Sequence, residues 1–196
     1  MLPELSMAAI SAKHQTHATR ASQSASDVQI TPLARVDLPA LVHMHDRVFG
    51  PGRYARTAYR VRECAPPLST ACRKIAHDGA IVGASQMTWV RIGDAEGMLL
   101  GPLCVVPEHE NRGFGQLLVE ACRDAAAAAD AAYVILVGDL EYYERCSFMR
   151  VPPRTIGLPG PVDPARLLIW LPEEAECPNG VLTALPGAPG ATTRTV

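Results

Sequence analysis

The spacing of apolar residues from position 28 onward predicts a strand followed by a helix. Residues 28–33 are a short strand candidate, and the next apolar positions recur three and four residues apart. That period predicts a helix capped by Asp37 and stopped at Gly50-Pro51-Gly52. Its buried face is expected to contain Leu38, Leu41, Val42, His45, Val48 and Phe49.

Three further apolar runs predict an antiparallel meander. Residues 71–76 and 81–91 are joined by Asp78-Gly79, which is typical of a two-residue hairpin turn. A second turn over residues 93–97 leads into a strand over residues 98–106. The sheet is therefore expected to begin antiparallel.

Beyond Pro107 the apolar period becomes helical. An Ala-rich helix is predicted to continue to residue 132, with a buried face of Leu117, Leu118, Ala121, Cys122 and Ala125. Residues 133–137 are a continuous apolar run suited to a buried strand, and the strand–helix–strand order makes it parallel to the strand before the helix. The sheet is therefore expected to be mixed.

Shorter elements complete the pattern. We expect a helix over residues 139–146, a strand over 148–151 and a last strand over 167–171. Prolines between positions 152 and 164 argue against regular structure in that connection. The fold class is α/β (α+β), in one domain over residues 28–182.

The two ends of the chain have a different composition. Residues 1–27 are rich in Ser, Ala, Thr and His and show no periodicity, which predicts a disordered leader and leaves an organellar targeting segment as an alternative. Residues 183–196 include a Pro-Gly-Ala repeat and are expected to form a flexible tail.

Composition narrows the function classes. The formal net charge of −2 and the 5% aromatic content argue against nucleic acid as a partner. The sequence contains no apolar run of about 18 residues, so we expect no membrane span. The six cysteines include no Cys-x-x-Cys pair and no histidine at zinc-finger spacing, so we expect free thiols, no metal and a cytoplasmic location.

The loop between the third meander strand and the long helix is the first candidate site. It comprises Glu110, Asn111, Arg112, Gly113, Phe114, Gly115 and Gln116. Unpaired N–H groups and the positive end of the helix dipole suit a pyrophosphate there, and glycine lets the anion approach closely. By itself the loop also fits a tight turn without a ligand. Two other nucleotide-binding motifs are excluded. A dinucleotide fingerprint would need glycine in place of Leu118, and a P-loop would need Gly-Lys-Ser/Thr, which is absent.

Two segments carry a resemblance to a known family. Leu103-Cys104-Val105-Val106-Pro107, followed six residues later by Gly-Phe-Gly-Gln-Leu-Leu, resembles the acetyl-CoA motif of the GNAT acetyltransferases. Residues 137–148, which include Tyr-Tyr-Glu-Arg-Cys-Ser-Phe, are similar to the family's Tyr-Glu-Arg-x-Gly-Phe segment and to its YhbS-like bacterial branch. The matches together span about residues 28–182.

The resemblance implies a GNAT fold, with a sheet of about six to seven strands, a splayed parallel pair and about four helices. It implies acetyl-CoA as co-substrate, transfer of an acyl group other than amino-acyl, and an amine acceptor that is a small molecule or a protein. A homodimer is compatible with it. The cofactor-binding residues that it implies are Leu103, Cys104, Val105, residues 110–116 and Tyr143.

The family resemblance also makes Tyr143 the general acid for the CoA thiolate, with Tyr142 as a stand-in. The alternative for Tyr143 is a buried aromatic whose hydroxyl bonds the backbone. Asp139 and Glu141 are candidates to attract the amine, or else they cap and solvate the short helix. The arginines at 53, 56, 60 and 62 form either a solvated face or a substrate- or phosphate-facing one.

Two positions depart from the family pattern. Glu110 stands where the family has Gln or Arg, and its carboxylate would repel a pyrophosphate that Arg112 could offset. Ser147 replaces the usual glycine before Phe148. Glu110 motivates an alternative function, a non-catalytic acyl-CoA-binding or regulatory module.

Overall fold

The structure is a computed structural model, and it describes residues 28–55, 57–66 and 68–186. The leader predicted for residues 1–27 lies outside these ranges, as do residues 187–196 of the predicted tail. The proposed limits of the domain therefore stay a prediction.

Four helices and nine strands make up the described chain. The helices are α1 Leu38–Phe49, α2 Thr57–Arg62, α3 Phe114–Ala127 and α4 Leu140–Tyr143. The strands are β1 Val28–Pro32, β2 Arg73–His77, β3 Ala80–Ile92, β4 Ala95–Val105, β5 Val134–Val137, β6 Met149–Arg150, β7 Ile156–Gly157, β8 Leu167–Trp170 and β9 Gly180–Ala184.

The central sheet follows the order β1-β2-β3-β4-β5-β8-β6, with β9 pairing on β3 and β7 pairing on β9. Strands β1 to β4 form the expected antiparallel meander. The β4–β5 pair is parallel, so the predicted mixed sheet is confirmed. Both residues of the β2–β3 turn have positive φ, 50° at Asp78 and 80° at Gly79, as a type I′ hairpin turn requires.

Strand β4 carries an extra residue where it passes the middle of the sheet. Met87 of β3 faces Leu100, but Ser85, two residues away, faces Leu103, three residues away. The additional residue lies at Gly101-Pro102, where Gly101 has φ +116° and Pro102 has no N–H to donate. Pairing of β4 with β5 is confined to Met98 and Leu99, so the two strands separate from the bulge onward.

Alternate residues of the parallel pair serve two cores. Met98 and Val134 lie in a cluster with Val119 and Cys122 of α3. Leu99 and Ile135 lie in a second cluster that includes Val61 of α2. The continuous apolar sequence of these strands is explained by burial on both faces.

The helical faces differ in detail from the predicted ones. In α1 the buried residues are Leu41, Met44 and His45, whereas Val42 is 51% exposed, because the contact face is rotated toward Met44. In α3 the buried residues are Phe114, Leu118, Val119, Cys122 and Ala126, and Leu117 is exposed. Helix α3 ends at Ala127, before the predicted residue 132, and Asp130 has left-handed φ of 57°.

Three features of the later chain were not predicted. Strand β9 pairs Leu182, Thr183 and Ala184 with the end of β3, although residues 183 and 184 were placed in the tail. The short strand β7 and a 3-10 turn over Pro164–Arg166 interrupt the Pro-rich connection. At the start of the fold, Asp37 stands at the predicted N-cap position of α1 but makes no side-chain cap, because its carboxylate accepts from Ala34 N (2.8 Å) and pairs with Lys74 Nζ (2.7 Å).

His45 is a buried titratable group in α1. Its ring lies 5.8 Å from that of Phe49, and its Nε2 has no hydrogen-bond partner among the described residues. Burial, followed by the positive charges of Arg53 and Arg62, lowers the pKa of His45 to about 4. The folded protein therefore holds this imidazole neutral at pH values where the unfolded chain protonates it.

We expect the free energy of unfolding to fall by up to about 3 kcal/mol as pH decreases from above 6.5 toward 4, because only the unfolded state gains the His45 proton there. Urea unfolding at several pH values measures this slope. His45→Gln should flatten it, whereas His43→Gln, an exposed position on the same helix, should not. An identical slope in wild type and His45→Gln would contradict the assignment.

Candidate functional site

Two cavities meet beside the bulge in β4. The first has a volume of about 550 Å³ and lies along the end of β4 and the loop before α3. The second has a volume of about 680 Å³ and lies where β4 and β5 separate. Leu103 and Tyr142 line both cavities, so these side chains mark the place where the two spaces join.

The loop before α3 presents unpaired backbone donors to the first cavity. Asn111 and Gly113 both have left-handed backbone, with φ of 59° and 79°, which turns the chain sharply into the helix. Leu117 N is the first amide that bonds back into the turn, to Gly113 O at 3.1 Å. Within the described ranges, no residue accepts a hydrogen bond from the N–H groups of residues 111–116. An anion would satisfy these donors.

Most of the residues expected at the cofactor line this first cavity. They are Leu103, Cys104, Val105, Glu110, Asn111, Gly113, Phe114, Gly115 and Gln116. Arg112 is exposed and does not line it. Arg145, on the turn after α4, lines the cavity instead, and sequence reasoning gave no signal for it because its approach depends on how α4 packs. Arg145 and Glu110 therefore border the same cavity.

Cys104, on β4, lines the first cavity and is therefore the cysteine to consider as a nucleophile. It is 3% exposed, and burial raises the pKa of its thiol to about 12. A thiol that stays protonated is a poor nucleophile. The site therefore offers no activated cysteine for a covalent acyl-enzyme.

The second cavity is the wedge between the separated strands. Its walls on the sheet side come from residues 100–103 of β4 and from Val137, Gly138 and Asp139 at the end of β5. The helical side includes Phe49, Thr57, Ala58, Tyr59 and Arg62, and the far side includes Pro161, Val162, Asp163 and Arg166. The bulge thus opens a space that α2 and the Pro-rich connection close.

Tyr143 lines the second cavity and not the first. Its ring lies over Gly138, where an added Cβ would meet its Cδ2 at 2.8 Å, and 5.9 Å from the ring of Phe148. Burial raises the pKa of Tyr143 well above its usual range. No hydrogen bond joins its hydroxyl to any described residue, in contrast to buried Tyr133, whose hydroxyl donates to Val90 O at 3.3 Å.

Tyr142 occupies the junction of the two cavities. Its ring is 4.9 Å from that of Tyr143, in an edge-to-face arrangement. Its hydroxyl lies directly against Gly115 of the loop, in the space that a side chain there would fill. Burial raises the pKa of this phenol as well. Tyr142 therefore touches the phosphate-binding loop, whereas Tyr143 faces the wedge.

The acidic candidates separate in the structure. Asp139 lines the second cavity, makes no side-chain cap to α4, and pairs with Arg166 Nε at 3.2 Å. Glu141 is exposed and lines neither cavity. Of the two, only Asp139 borders a cavity.

The basic segment is not a uniform solvated face. Arg53 is 3% exposed and bonds Asp46 Oδ1 at 2.6 Å and Gly50 O at 2.9 Å, so it anchors the end of α1. Arg62 lines the second cavity, whereas Arg60 is exposed. Arg56 lies outside the described residues. The solvated interpretation is therefore wrong for Arg53, whose burial depends on the fold of the turn between α1 and α2, whereas Arg62 is half-buried in the cavity wall.

No group of three or more His, Cys, Asp or Glu side chains among the described residues could hold a metal ion. No helix in that part of the chain is long and apolar enough to cross a membrane.

Solved structures share this fold. The YhbS GNAT family N-acetyltransferase of Escherichia coli, in complex with CoA, aligns with TM-score 0.70 at 20% identity over 82% of this chain and 91% of that one. A GNAT family acetyltransferase of Brucella melitensis, in complex with acetyl-CoA, aligns with TM-score 0.61 at 22% identity over 82% and 97%. Arabidopsis thaliana Naa50, with the bisubstrate analogue CoA-Ac-MVNAL, aligns with TM-score 0.52 at 16% identity over 73% and 97%.

At these identities the likeness concerns the fold alone. Among curated proteins, none matches the chain in sequence. The model of the Acetyltransferase (GNAT) family matches residues 38–148, which is more than half of the 196-residue chain and includes the loop before α3 and both tyrosines of α4. The chain belongs to the GNAT acetyltransferase family.

Proposed function

We propose that this protein transfers an acetyl group from acetyl-CoA directly to an amine, with Tyr143 as the general acid. The observation that carries the proposal is the placement of an unbonded, protonated phenol in a wedge that adjoins a loop of free backbone donors. The acceptor is an amine of a small molecule or a protein.

The first cavity suits the diphosphate part of acetyl-CoA. N–H groups of residues 111–116 would bond the pyrophosphate, and Arg145 supplies a nearby positive charge. Leu103 and Val105, at the end of β4 that has left β5, would offer main-chain groups to the pantetheine arm. The arm would then lead the thioester toward Leu103 and Tyr142, where the cavities join.

Direct transfer fits the chemistry of these side chains. The neutral amine nitrogen bonds to the thioester carbonyl carbon, the carbon–sulfur bond breaks, and the thiolate takes a proton from the Tyr143 hydroxyl. The amine proton passes to water, and the phenolate regains its proton from solvent. Asp139, on the wall of the same cavity, would attract the cationic form of the amine before it loses that proton.

The raised pKa of Tyr143 has a consequence for the pH profile. A phenol whose pKa lies above 10 keeps its proton throughout the range in which amines become neutral. Activity should therefore rise with pH as the acceptor is deprotonated, and Tyr143 should add no falling limb below pH of about 10.

We expect Tyr143→Phe to lower kcat by about 10²- to 10⁴-fold at saturating acetyl-CoA and acceptor, because the leaving thiolate loses its proton donor. Affinity for acetyl-CoA, measured by calorimetry, should change little. Tyr142→Phe is the matched variant, since it removes a hydroxyl one residue away that faces Gly115. Undiminished turnover in Tyr143→Phe, or the larger loss in Tyr142→Phe, would reject the assignment.

Glu110 supports a second candidate function, an acyl-CoA-binding module without turnover. Its carboxylate lines the first cavity, where it opposes a pyrophosphate. Calorimetry with acetyl-CoA followed by a panel of amines, with thiol release as the readout, separates the two functions. Binding without thiol release for any acceptor would favour the module, and absence of binding would remove both.

We expect Glu110→Gln to tighten acetyl-CoA binding by about 3- to 10-fold at low salt, because it removes a negative charge beside the pyrophosphate. The gain should shrink as salt is added. Glu173→Gln, an exposed position that lines neither cavity, is the control for a general change in net charge. Equal affinity of Glu110→Gln and wild type at low salt would show that Arg145 or solvent already neutralises this carboxylate.

A further inference from the structure

Arg62 is the cation without a counter-ion in the second cavity. It is the last residue of α2, and its Nη2 lies beside Gly101, at 3.2 Å from the place a Cβ would occupy. Its Cζ is 5.4 Å from the centroid of the Tyr59 ring. Both Gly101 and Tyr59 line the cavity, so the guanidinium lies in its wall at the bulge in β4.

The guanidinium is poorly satisfied by the protein. Its Nε is buried and has no hydrogen-bond partner in the described part of the chain. No ion pair links Arg62 to any described carboxylate. Burial lowers its pKa to about 10, which still leaves it positively charged at neutral pH. A half-buried cation without a counter-ion is costly, so a ligand that supplies the missing anion gains affinity.

The two carboxylates of the cavity have partners other than Arg62. Asp139 pairs with Arg166, and Asp163 accepts from Ala165 N at 2.9 Å in the turn before β8. The net formal charge of these three side chains and Arg62 is zero, so the cavity has no general excess of positive charge. What it offers is one half-buried guanidinium without a counter-ion, whose charge a single carboxylate neutralises.

We propose that Arg62 binds a carboxylate of the acceptor, so that the substrates of this protein are amino carboxylates. This inference rests on the proposed acetyltransferase function, because it takes the second cavity as the acceptor site. The amine would point toward the junction at Leu103 and Tyr142, and the carboxylate toward Arg62 at the bulge. Arg62 would then be a specificity-determining residue and take no part in the chemistry.

The test compares amino acids of several chain lengths with their own carboxamides, by the rate of thiol release from acetyl-CoA. The amide replaces the carboxylate by a neutral group of the same shape. Because the amine of an amino amide is less basic, a larger fraction of it is neutral and reactive at a given pH, which by itself would favour the amide. We expect wild type nevertheless to use the matching acid with a kcat/KM about 10- to 100-fold higher. Arg62→Met should bring the ratio of acid to amide close to one.

Arg60→Met is the matched control, since Arg60 is exposed on the same helix and lines neither cavity. It should keep the wild-type ratio. Acetyl-CoA affinity, measured by calorimetry, should be the same in wild type, Arg62→Met and Arg60→Met. Arg62→Lys keeps the charge without the planar fork, and it should keep part of the preference for the acid.

A purely structural role of Arg62 predicts a different outcome. Loss of a structural contact would lower the melting temperature of Arg62→Met and reduce use of acids and amides alike. Removal of a half-buried cation that has no counter-ion should leave the melting temperature unchanged or raise it. Should Arg62→Met fail to fold, the ratio measured with Arg62→Lys decides: an unchanged wild-type preference for acids overturns the role of the guanidinium fork.

The failure of this inference differs from the failure of the proposed function. If wild type releases thiol equally well with acids and amides, the carboxylate site is overturned but the acetyltransferase function is not. A preference for aminoalkylphosphonates over amino acids has the same consequence. If no amine releases thiol, amino acids are titrated into the CoA-loaded protein. The site is supported if wild type binds amino acids, Arg62→Met does not bind them, and wild type does not bind the carboxamides. Equal binding of acids and carboxamides by wild type, equal binding of acids by wild type and Arg62→Met, or no binding at all overturns the site.

Discussion

The extra residue in β4 is the constraint on which the arrangement of both cavities depends. Gly101 has a backbone conformation that side chains disfavour, and Pro102 has no amide to donate to a ladder, so parallel pairing with β5 cannot continue past this point. The strands separate, and the freed end of β4 leads to the loop before α3.

Helix α4 connects the two sides of this wedge through contacts with glycines. The Tyr142 hydroxyl lies against Gly115 at the start of α3, and the Tyr143 ring lies over Gly138 at the end of β5. A side chain at either glycine would displace the tyrosine. Tyr142 and Tyr143, which are consecutive in one short helix, thus fix the distance between the loop before α3 and the phenol that faces the wedge.

The sequence predicted those parts of the molecule that local chemistry determines. Asp78-Gly79 specified a hairpin turn, and Gly113 marked the start of α3, because positive φ at these positions restricts the residue types. Predictions that need the packed fold were weaker. Val42 and Leu117 have the right period yet face solvent, β9 has a weak signal because only Leu182 of its five residues is buried, and the burial of Arg62 depends on how α2 meets the bulge.

The two cavities treat negative charge in different ways, and this difference bears on how the substrates would be held. The first presents backbone N–H groups at an open loop, where solvent screens the attraction and an acidic side chain, Glu110, is tolerated. The second presents a half-buried guanidinium whose Nε is shielded from solvent, so its attraction is screened less. Under the proposed function, acetyl-CoA would gain its affinity from many weak donors along its length, whereas the acceptor would depend on one strong contact. Because Leu103 and Tyr142 belong to both cavities, a thioester at that junction would form part of the acceptor's own binding surface.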